Sequence, residues 1–362
     1  MTLEFIGHVG SRAGSDVIAA SGPIVDKAYI RELALSAERT GFDKLLIGSF
    51  STIPDNNQIA AYVLHETTRL GVMLAHRTGF VAPTLAARQL ATLDHFADGR
   101  LGVHIISGGT DEDQQRDGDF LGHDERYART DEYLDVLRRV WSSDQPFDHE
   151  GHFYRFKGAF STVKPLQPGG VPIYFGGSSD AAIEVAGKHA DLYALWGEPL
   201  DQTAETIARV RAAAAKHGRS VRFVLAFRPI VEATEDAAWA RTRELLDIVK
   251  SPDRPVHGGG GRNTSLPMNV GSQRLRQAAE RGKVLDKRLW TELAGATGAS
   301  GNSTALVGTG EQVADALLDY HALGVTSFLI RCFDPLRDTP VFGREVIPRV
   351  RAALAAPTAK AA

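Results

Sequence analysis

The sequence predicts an α/β protein with the architecture of a (β/α)8 barrel, or TIM barrel. Eight short segments rich in aliphatic and β-branched residues alternate with amphipathic segments of helical period along the 362 residues. This alternation is typical of a parallel sheet in which helices connect successive strands. Eight units in a chain of this length match a closed barrel, and an open, doubly wound sheet is the alternative.

The predicted strands are apolar runs that end, in most cases, at glycine, serine or charged residues. They lie at Leu3–His8, Lys44–Gly48, Leu70–His76, Leu101–Ser107, Ile173–Gly176, Leu192–Trp196, Phe223–Val231 and Ser327–Cys332. The helical patterns lie at Asp26–Thr40, Gln58–Glu66, Thr84–Phe96, Tyr127–Ser142, Asp180–His189, Gln202–His217, Thr234–Val249 and Arg344–Leu354. We therefore expect one domain over residues 1–362, with the barrel in 1–355 and a flexible tail in 356–362.

Two segments interrupt the alternation. Residues 144–170 contain aromatic residues separated by turn residues, which predicts a strand pair on the barrel rim. Residues 251–303 form a longer insertion, with Gly258–Gly261 and Arg262 near its start and the small residues of Gly295–Ser303 at its end. Because glycine-rich segments lose much entropy on ordering, this insertion is either a mobile lid or a disordered surface loop.

Composition and charge exclude several classes of function. A net charge of −3, with both signs scattered, disfavours nucleic acid and anionic membranes as partners. The single cysteine, Cys332, excludes an internal disulfide framework and any multi-cysteine metal site. No secretory leader or membrane-spanning apolar run is recognisable, so we expect a cytoplasmic protein.

The segment from Tyr174 to Asp180 predicts a phosphate site. A short strand runs into Gly176, Gly177, Ser178 and Ser179, which open a predicted helix. Glycines let the backbone approach a ligand, and the first N–H groups of a helix lack intrahelical partners. Two hydroxyls and the positive end of a helix dipole therefore converge where a cofactor phosphate would bind. An ordinary strand-to-helix turn with serine as N-cap is the alternative.

Chemistry in such a barrel gathers at the carboxyl ends of the strands. The polar and aromatic residues there form a cationic ring, which favours an anionic substrate beside a phosphate-bearing cofactor. The ring comprises His8, Ser49 to Asn57, His76, Arg77, His104, Ser107 to Thr110, Gly176 to Ser179, Trp196 to Glu198, Arg228, and Arg331 to Asp334. Any one of these residues could instead be structural. The twelve histidines include no His-x-His after the first strand, so we predict no metal site.

Several motifs resemble the flavin-dependent alkanesulfonate monooxygenases of the bacterial luciferase-like superfamily. The likeness covers nearly the whole chain, and the order and spacing of the motifs make it specific. The motifs are Gly176 to Asp180, Ala190 to Tyr193, Trp196 to Pro199, Pro83 to Gln89 with Ala91 to Asp94, Asp98 to Arg100, His123 to Tyr127, Thr304 to Gly308, and Leu323 to Val325.

This resemblance implies a monooxygenase that receives reduced FMN from a separate NAD(P)H-dependent FMN reductase. The enzyme would use O2 to oxygenate a small anionic organosulfonate, releasing sulfite and an aldehyde. The family also implies that His123, Tyr127 and Gly176 to Ser179 hold the phosphate and ribityl end of the flavin, with Ser107 near its ring. We also expect a homodimer or homotetramer.

The departures from the family pattern lie at the substrate end. The Arg-x-His of the seventh strand is replaced by Ala226 and Arg228, and the tyrosine after the eighth strand by Phe333. A strand-four asparagine is His104 here, no cysteine occurs in Ser49–Asp55, and the lid arginine position falls near Ala299. Trp196 is retained. Because the changes lie around the substrate, the resemblance supports the type of reaction more strongly than it supports any particular sulfonate as substrate.

The remaining site predictions follow from the chemistry. Arg228 stands two residues beyond Ala226, so we expect it to replace the missing arginine and bind the substrate anion, with Arg77 as second contact. The alternative is that Arg228 pairs with a carboxylate and braces the barrel. His76 is the candidate for proton management. Apolar walls would keep water out, with Phe80, Trp196, Phe227 and Phe333 as candidates and barrel core as the alternative for Phe227.

The sequence is also compatible with two other functions. One keeps the superfamily but changes the chemistry, to a monooxygenase of a nonsulfonate substrate or a deazaflavin-dependent oxidoreductase. The other is a flavin-binding barrel without catalysis, which would not require cationic groups at several strand ends.

Overall fold

A computed structural model of the protein describes residues 3–255, 269–299, 301 and 303–356. The strands are β1 (Glu4–His8), β2 (Lys44–Ile47), β3 (Gly71–Arg77), β4 (Leu101–Ile106), β5 (Phe147–Glu150), β6 (Arg155–Ala159), β7 (Ile173–Gly176), β8 (Leu192–Trp196), β9 (Arg222–Phe227), β10 (Ile230–Val231), β11 (Val284–Leu285), β12 (Leu289–Trp290), β13 (Ala305–Gly308) and β14 (Val325–Ile330). The helices are α1 (Lys27–Arg39), α2 (Asn56–Glu66), α3 (Pro83–Phe96), α4 (Asp111–Arg116), α5 (His123–Ser142), α6 (Asp180–His189), α7 (Leu200–Ala215), α8 (Glu235–Lys250), α9 (Val270–Arg281), α10 (Glu292–Thr297), α11 (Gly310–Ala322), α12 (Pro335–Glu345) and α13 (Ile347–Ala355).

Eight parallel strands close into a barrel, which confirms the predicted fold. The order around the ring is β1, β14, β9, β8, β7, β4, β3 and β2. In this ring β9 and β3 stand opposite each other, with three strands between them on either side. Helices cover the outside, where their apolar faces pack on the outward side chains of the strands.

The barrel interior is filled at the amino end of the strands. Ile6, Met73, Tyr174, Leu192 and Val224 form one inward-facing cluster, and none is more than 2% exposed. Below the ring of Tyr174, its hydroxyl donates to Oε2 of Glu4 at 3.2 Å, and Lys44 forms an ion pair with the same carboxylate. The amino end is therefore closed by a packed layer.

The seventh predicted strand, Phe223–Val231, is two strands. The part β9 lies in the barrel, whereas β10 pairs with β13 in a separate four-stranded sheet that also contains β12 and β11. The break falls at Pro229, which has no backbone N–H to donate to a ladder. Just before it, the N–H of Arg228 donates to the carbonyl of Thr304 at 3.0 Å.

Two helices differ from their predicted form. The last predicted helix, Arg344–Leu354, corresponds to α13 and the last two residues of α12, which meet at Val346; the rest of α12 was not predicted. Helix α11 was not predicted, although it begins with a capping box. In this box Oγ1 of Thr309 accepts from the N–H of Gln312, and Oε1 of Gln312 accepts from the N–H of Thr309. The strand pair in residues 144–170 is confirmed as the antiparallel pair β5 and β6.

The predicted lid spans both described and undescribed residues. Gly258–Gly261 and Arg262 lie outside the described part of the chain, and the mobility of the lid stays a prediction. Residues 269–299 form regular elements: α9, the short strands β11 and β12, and α10. Leu275 of α9 and Ala294 of α10 share an apolar cluster with Trp196 at the end of β8.

Among the described residues, no helix is long and apolar enough to cross a membrane.

Helix α6 packs closely on α7 at Gly187, which leaves no room for a side chain there. A Cβ at Gly187 of α6 would lie 2.7 Å from the backbone carbon of Ala213 and 2.8 Å from its Cβ. Gly187→Ala should therefore lower the free energy of unfolding by about 1–3 kcal/mol, measured by chemical denaturation. The matched control is Gly295→Ala in α10, where the new Cβ meets only Ala279 at 3.7 Å and should be neutral or stabilising. Equal effects at both positions would contradict this packing argument.

Candidate active site at the carboxyl end of the barrel

The carboxyl half of the barrel interior is open. Leu46, His104, Ala194 and Leu329 continue the inward-facing rows above the buried layer, yet each is partly exposed. Since the layer beneath is sealed, access is possible only from the carboxyl side. The ends of the parallel strands surround this partly exposed region, called the cavity below, in the position where barrels of this kind place their chemistry.

Backbone geometry shapes the predicted phosphate site after β7. Gly177 has φ +135°, a conformation that side chains rarely adopt, and a Cβ there would lie 2.9 Å from the hydroxyl oxygen of Tyr127. The carbonyl of Gly177 accepts a hydrogen bond from the Tyr193 hydroxyl. Ser179 is the N-cap of α6, and its Oγ accepts from the N–H of Ala182 at 3.3 Å. The turn thus presents a helix N-terminus at the barrel mouth.

Helix α5 supplies the second wall of this turn. Tyr127 hydrogen-bonds to Ser179; burial raises the pKa of Tyr127, while that bond opposes the shift. The ring of His123 lies 4.9 Å from that of Tyr127, and its Nδ1 is 2.7 Å from Oδ1 of Asp124. The structure therefore brings together His123, Tyr127 and the turn at 176–179, although α5 and α6 are far apart in sequence.

A third element reaches the same turn from the insertion. A Cβ at Gly271, in the first turn of α9, would lie 3.3 Å from Ser178 Oγ and 2.9 Å from Cζ3 of Trp196. Asn269 caps this helix by accepting from the N–H of Ser272 at 2.8 Å. The amino end of α9 thus adjoins the turn that opens α6. Gly271 is not among the predicted site residues, because no local sequence pattern indicates which loop a distant helix will contact.

Two buried polar atoms at the end of β4 have no hydrogen-bond partner among the residues that the structure describes. They are Oγ of Ser107 and Nδ1 of His104. His104 stands beside the phosphate turn, because a Cβ at Gly176 would lie 3.6 Å from its Cε1. Burial lowers the pKa of His104 to about 4, so the imidazole is neutral near pH 7. Unpaired polar atoms of this kind are the groups that a polar ring system in the cavity would satisfy.

Arg228 lies at the rim above β9 and is 4% exposed. Its guanidinium donates to Asp16, from the loop after β1, and lies 3.9 Å from the ring centre of Phe333. Arg331, beyond the neighbouring strand β14, is 3.9 Å from the same carboxylate. Asp16 was not among the predicted site residues, since nothing in the sequence links the loop after β1 to strands near the end of the chain.

Arg77 and His76 lie on the other side of the barrel from Arg228. All three guanidinium nitrogens of Arg77 donate to groups of α4 and the residue after it, including Asp117 at 2.5 Å and Gln114 at 2.9 Å. His76 faces outward to α5, where its Nε2 is 2.7 Å from the Tyr133 hydroxyl. Burial lowers the pKa of His76 to about 4. The structure therefore does not bring Arg77 and Arg228 together.

The four predicted wall residues differ in exposure. Trp196 is partly exposed at the mouth and supports α9, and Phe80 is partly exposed beneath Arg77, 4.2 Å from its guanidinium carbon. Phe227 and Phe333 are fully buried. Phe227 packs 5.0 Å from the ring of Tyr320, as the barrel-core alternative predicts.

Among the described residues, one cluster has the composition of a metal site. Asp131, Asp135 and His189 offer ligand atoms within 4.8 Å of one another, on the outside of α5 and α6. The ammonium of Lys188 lies 2.9 Å from Asp131 and 2.7 Å from Asp135. These charges therefore already form an ion-pair network within the chain.

A comparison with protein-family models decides the family. The model of the luciferase-like monooxygenases matches residues 5–327. The chain belongs to this family. The result agrees with the resemblance read from the motifs, at the level of the family; the alkanesulfonate subfamily stays a prediction.

Solved structures with the same fold span different chemistries. Riboflavin lyase RcaE, solved with a modified FMN and riboflavin as substrate, is 21% identical with a TM-score of 0.79, over 99% of this chain and 93% of that one. EDTA monooxygenase EmoA from Chelativorans sp. BNC1 is 18% identical with a TM-score of 0.76, over 99% and 95%. An F420-dependent secondary alcohol dehydrogenase is 17% identical with a TM-score of 0.69, over 97% and 99%.

The geometry of Gly177 predicts a selective effect on cofactor binding. Gly177→Ala places a Cβ 2.7 Å from that of Ala182, so the turn must shift, and we expect FMN affinity to fall by about tenfold. Fluorescence titration with FMN measures this. The matched control is Gly118→Ala, which also has positive φ, +87°, but has nothing within 4 Å of the new Cβ. If both variants bind FMN alike, the turn is not the cofactor site.

Proposed function

We propose that this protein is a two-component FMN-dependent monooxygenase. It would receive reduced FMN from a separate NAD(P)H-dependent reductase and use O2 to oxygenate a small anionic organosulfonate or related organosulfur compound. One oxygen atom would enter the aldehyde product, the other would leave as water, and sulfite would be released. The observation that carries the proposal is the helix-capped turn at Gly176 to Ser179 beside the unpaired Ser107 and His104.

The residues fit a flavin mononucleotide. Ser178, Ser179 and the first N–H groups of α6 would bind the phosphate, with the hydroxyl of Tyr127 beside them and His123 at the edge. Oγ of Ser107 and Nδ1 of His104 would meet the polar edge of the ring system. Bound reduced FMN supplies the two electrons that O2 activation requires. Since His104 is neutral near pH 7, it offers one N–H donor and one acceptor and adds no charge.

The substrate would enter from the rim above β9 and β14. Arg228 and Arg331 are the cationic groups there, and a guanidinium fork suits the oxygens of a sulfonate. The proposed anion site contains these two residues and not Arg77, because Arg77 lies across the barrel and donates to α4. Trp196 and the helices packed on it would exclude water from the cavity during oxygenation.

Removal of the serine hydroxyls tests the cofactor assignment. The double variant Ser178→Ala, Ser179→Ala loses hydrogen bonds to a charged group of roughly 1.5–3 kcal/mol each. The affinity for FMN should fall, whereas riboflavin, which has no phosphate, should bind almost as well as before. Titrations of both ligands measure the difference. An equal loss for both would place the phosphate elsewhere, and a preference for F420 over FMN would favour the deazaflavin alternative.

The reaction itself is tested by single turnover. The protein is loaded anaerobically with reduced FMN and mixed with O2 and a panel of short alkyl and aryl sulfonates. Sulfite is measured with a thiol reagent, and the aldehyde by derivatisation. Sulfite in proportion to bound flavin, absent without protein or without sulfonate, is the expected result. Flavin oxidation without sulfite across the panel would overturn C–S cleavage, and product formation from a nonsulfonate would give the substrate class.

A further inference from the structure

A counter-anion stabilises the charge of Arg228 at its buried position. The Arg228 side chain is only 4% exposed and is therefore poorly hydrated, and its Nε has no acceptor within the described part of the chain. Burial lowers the pKa of Arg228, and the Coulombic attraction of Asp16 is the main opposing influence. A buried guanidinium that loses its partner is strongly unfavourable, so the ion pair with Asp16 belongs to the folded state.

Asp16 is at the same time a rim residue. Its side chain is 34% exposed, and that of Arg331, 3.9 Å away, is 36% exposed. The two arginines stand at positions that continue the inward-facing alternation of the adjacent strands β9 and β14. Asp16 therefore contacts both cations and is partly accessible to solvent at the rim, on the side from which an anion would enter the cavity.

The cluster of Asp16, Arg228 and Arg331 has a net charge of +1. The neighbouring Cys332 adds no charge, because burial raises the pKa of its thiol to about 12. Two further acidic groups are paired within the chain: Asp338 binds Arg241 at 2.7 Å, and Glu232 binds Arg337 at 2.7 Å. Without Asp16 both arginines would lose the carboxylate that lies between them and the solvent, which would favour a doubly charged anion.

We propose that Asp16 determines the charge class of the substrate, by holding the anion site at a single net positive charge and so disfavouring dianions relative to monoanions. The inference rests on the proposed function, because it concerns the same substrate site. A sulfonate is a monoanion, whereas a phosphate monoester of the same shape carries close to two negative charges above its second pKa of about 6. Asp16 would let the protein separate these two tetrahedral head groups.

The test uses the change in potential when Asp16 is neutralised. The interaction of a ligand with the site is its charge multiplied by the potential there, so Asp16→Asn should change the logarithm of the affinity about twice as much for a dianion. The probes are butyl sulfate and butyl phosphate, titrated by calorimetry into the full chain at about pH 8. Both should bind more tightly to Asp16→Asn, and the affinity ratio should move toward butyl phosphate by about tenfold or more.

Two further variants complete the design. Asp315→Asn makes the same change in net charge on the outer helix α11, where Lys287 keeps its bond to Asp319, and should leave the ratio unchanged. Arg331→Gln changes an exposed side chain and should weaken both probes, butyl phosphate more, even if Asp16→Asn fails to fold. An unchanged ratio in Asp16→Asn, or no binding of either probe to the unmodified protein, would overturn the role of Asp16. If Asp16→Asn does not fold, an unchanged ratio in Arg331→Gln would overturn it.

These titrations need neither reduced flavin nor O2, so the two proposals fail separately. A shifted ratio in a protein that releases no sulfite keeps the charge selection and removes the sulfonate reaction. Sulfite release in a protein whose ratio does not respond to Asp16→Asn keeps the reaction and removes the selection.

Discussion

Closure of the barrel over one buried layer is the constraint on which the rest of the structure depends. Ile6, Met73, Tyr174, Leu192 and Val224 seal the amino end, and the strands continue past them toward an open mouth. Because the strands are parallel, all eight carboxyl ends meet there. Residues as distant in sequence as Asp16, Ser179 and Arg331 become neighbours of one cavity only through this closure.

The rim is organised by arginines that bind loop carboxylates. Arg77 binds Asp117 beyond α4, buried Arg129 binds Asp119 at 2.6 Å, and Arg228 binds Asp16. A buried charge needs a partner, so each pair ties a loop to the barrel or to α5 at a defined place. Two of these arginines come from opposite strands of the ring, β3 and β9. The loops around the mouth are thus positioned by electrostatics as well as by apolar packing.

The phosphate turn shows how local and distant features combine. Gly177 and Ser179 can be interpreted from sequence, since a left-handed glycine and a serine N-cap are local backbone requirements. Tyr127 and Gly271 reach the turn from α5 and α9, by helix packing. Only the packed structure shows that Oγ of Ser107 and Nδ1 of His104 are buried without a hydrogen-bond partner among the described residues. The motif therefore predicts a ligand, and the packed structure shows which distant residues surround the turn.

The sequence by itself determined the alternation of eight strands and their helices, the strand pair of β5 and β6, and the family. These are local properties, because apolar periodicity, caps and turn residues act within a few positions. It missed α11 and the split at Pro229, where the strand β10 leaves the barrel to pair with β13. Pairing between distant segments is not written in a local pattern.

Only the tertiary structure decided which charges meet. It set Arg77 against α4, turned His76 toward Tyr133, left His104 in the cavity and gave Arg228 the partner Asp16. Adjacent residues in a strand face opposite sides, so the direction of one side chain depends on where the strand ends and on what packs above it. Electrostatic partners follow from that direction and from loop paths, which is why the sequence named the ring of polar residues but not their pairs.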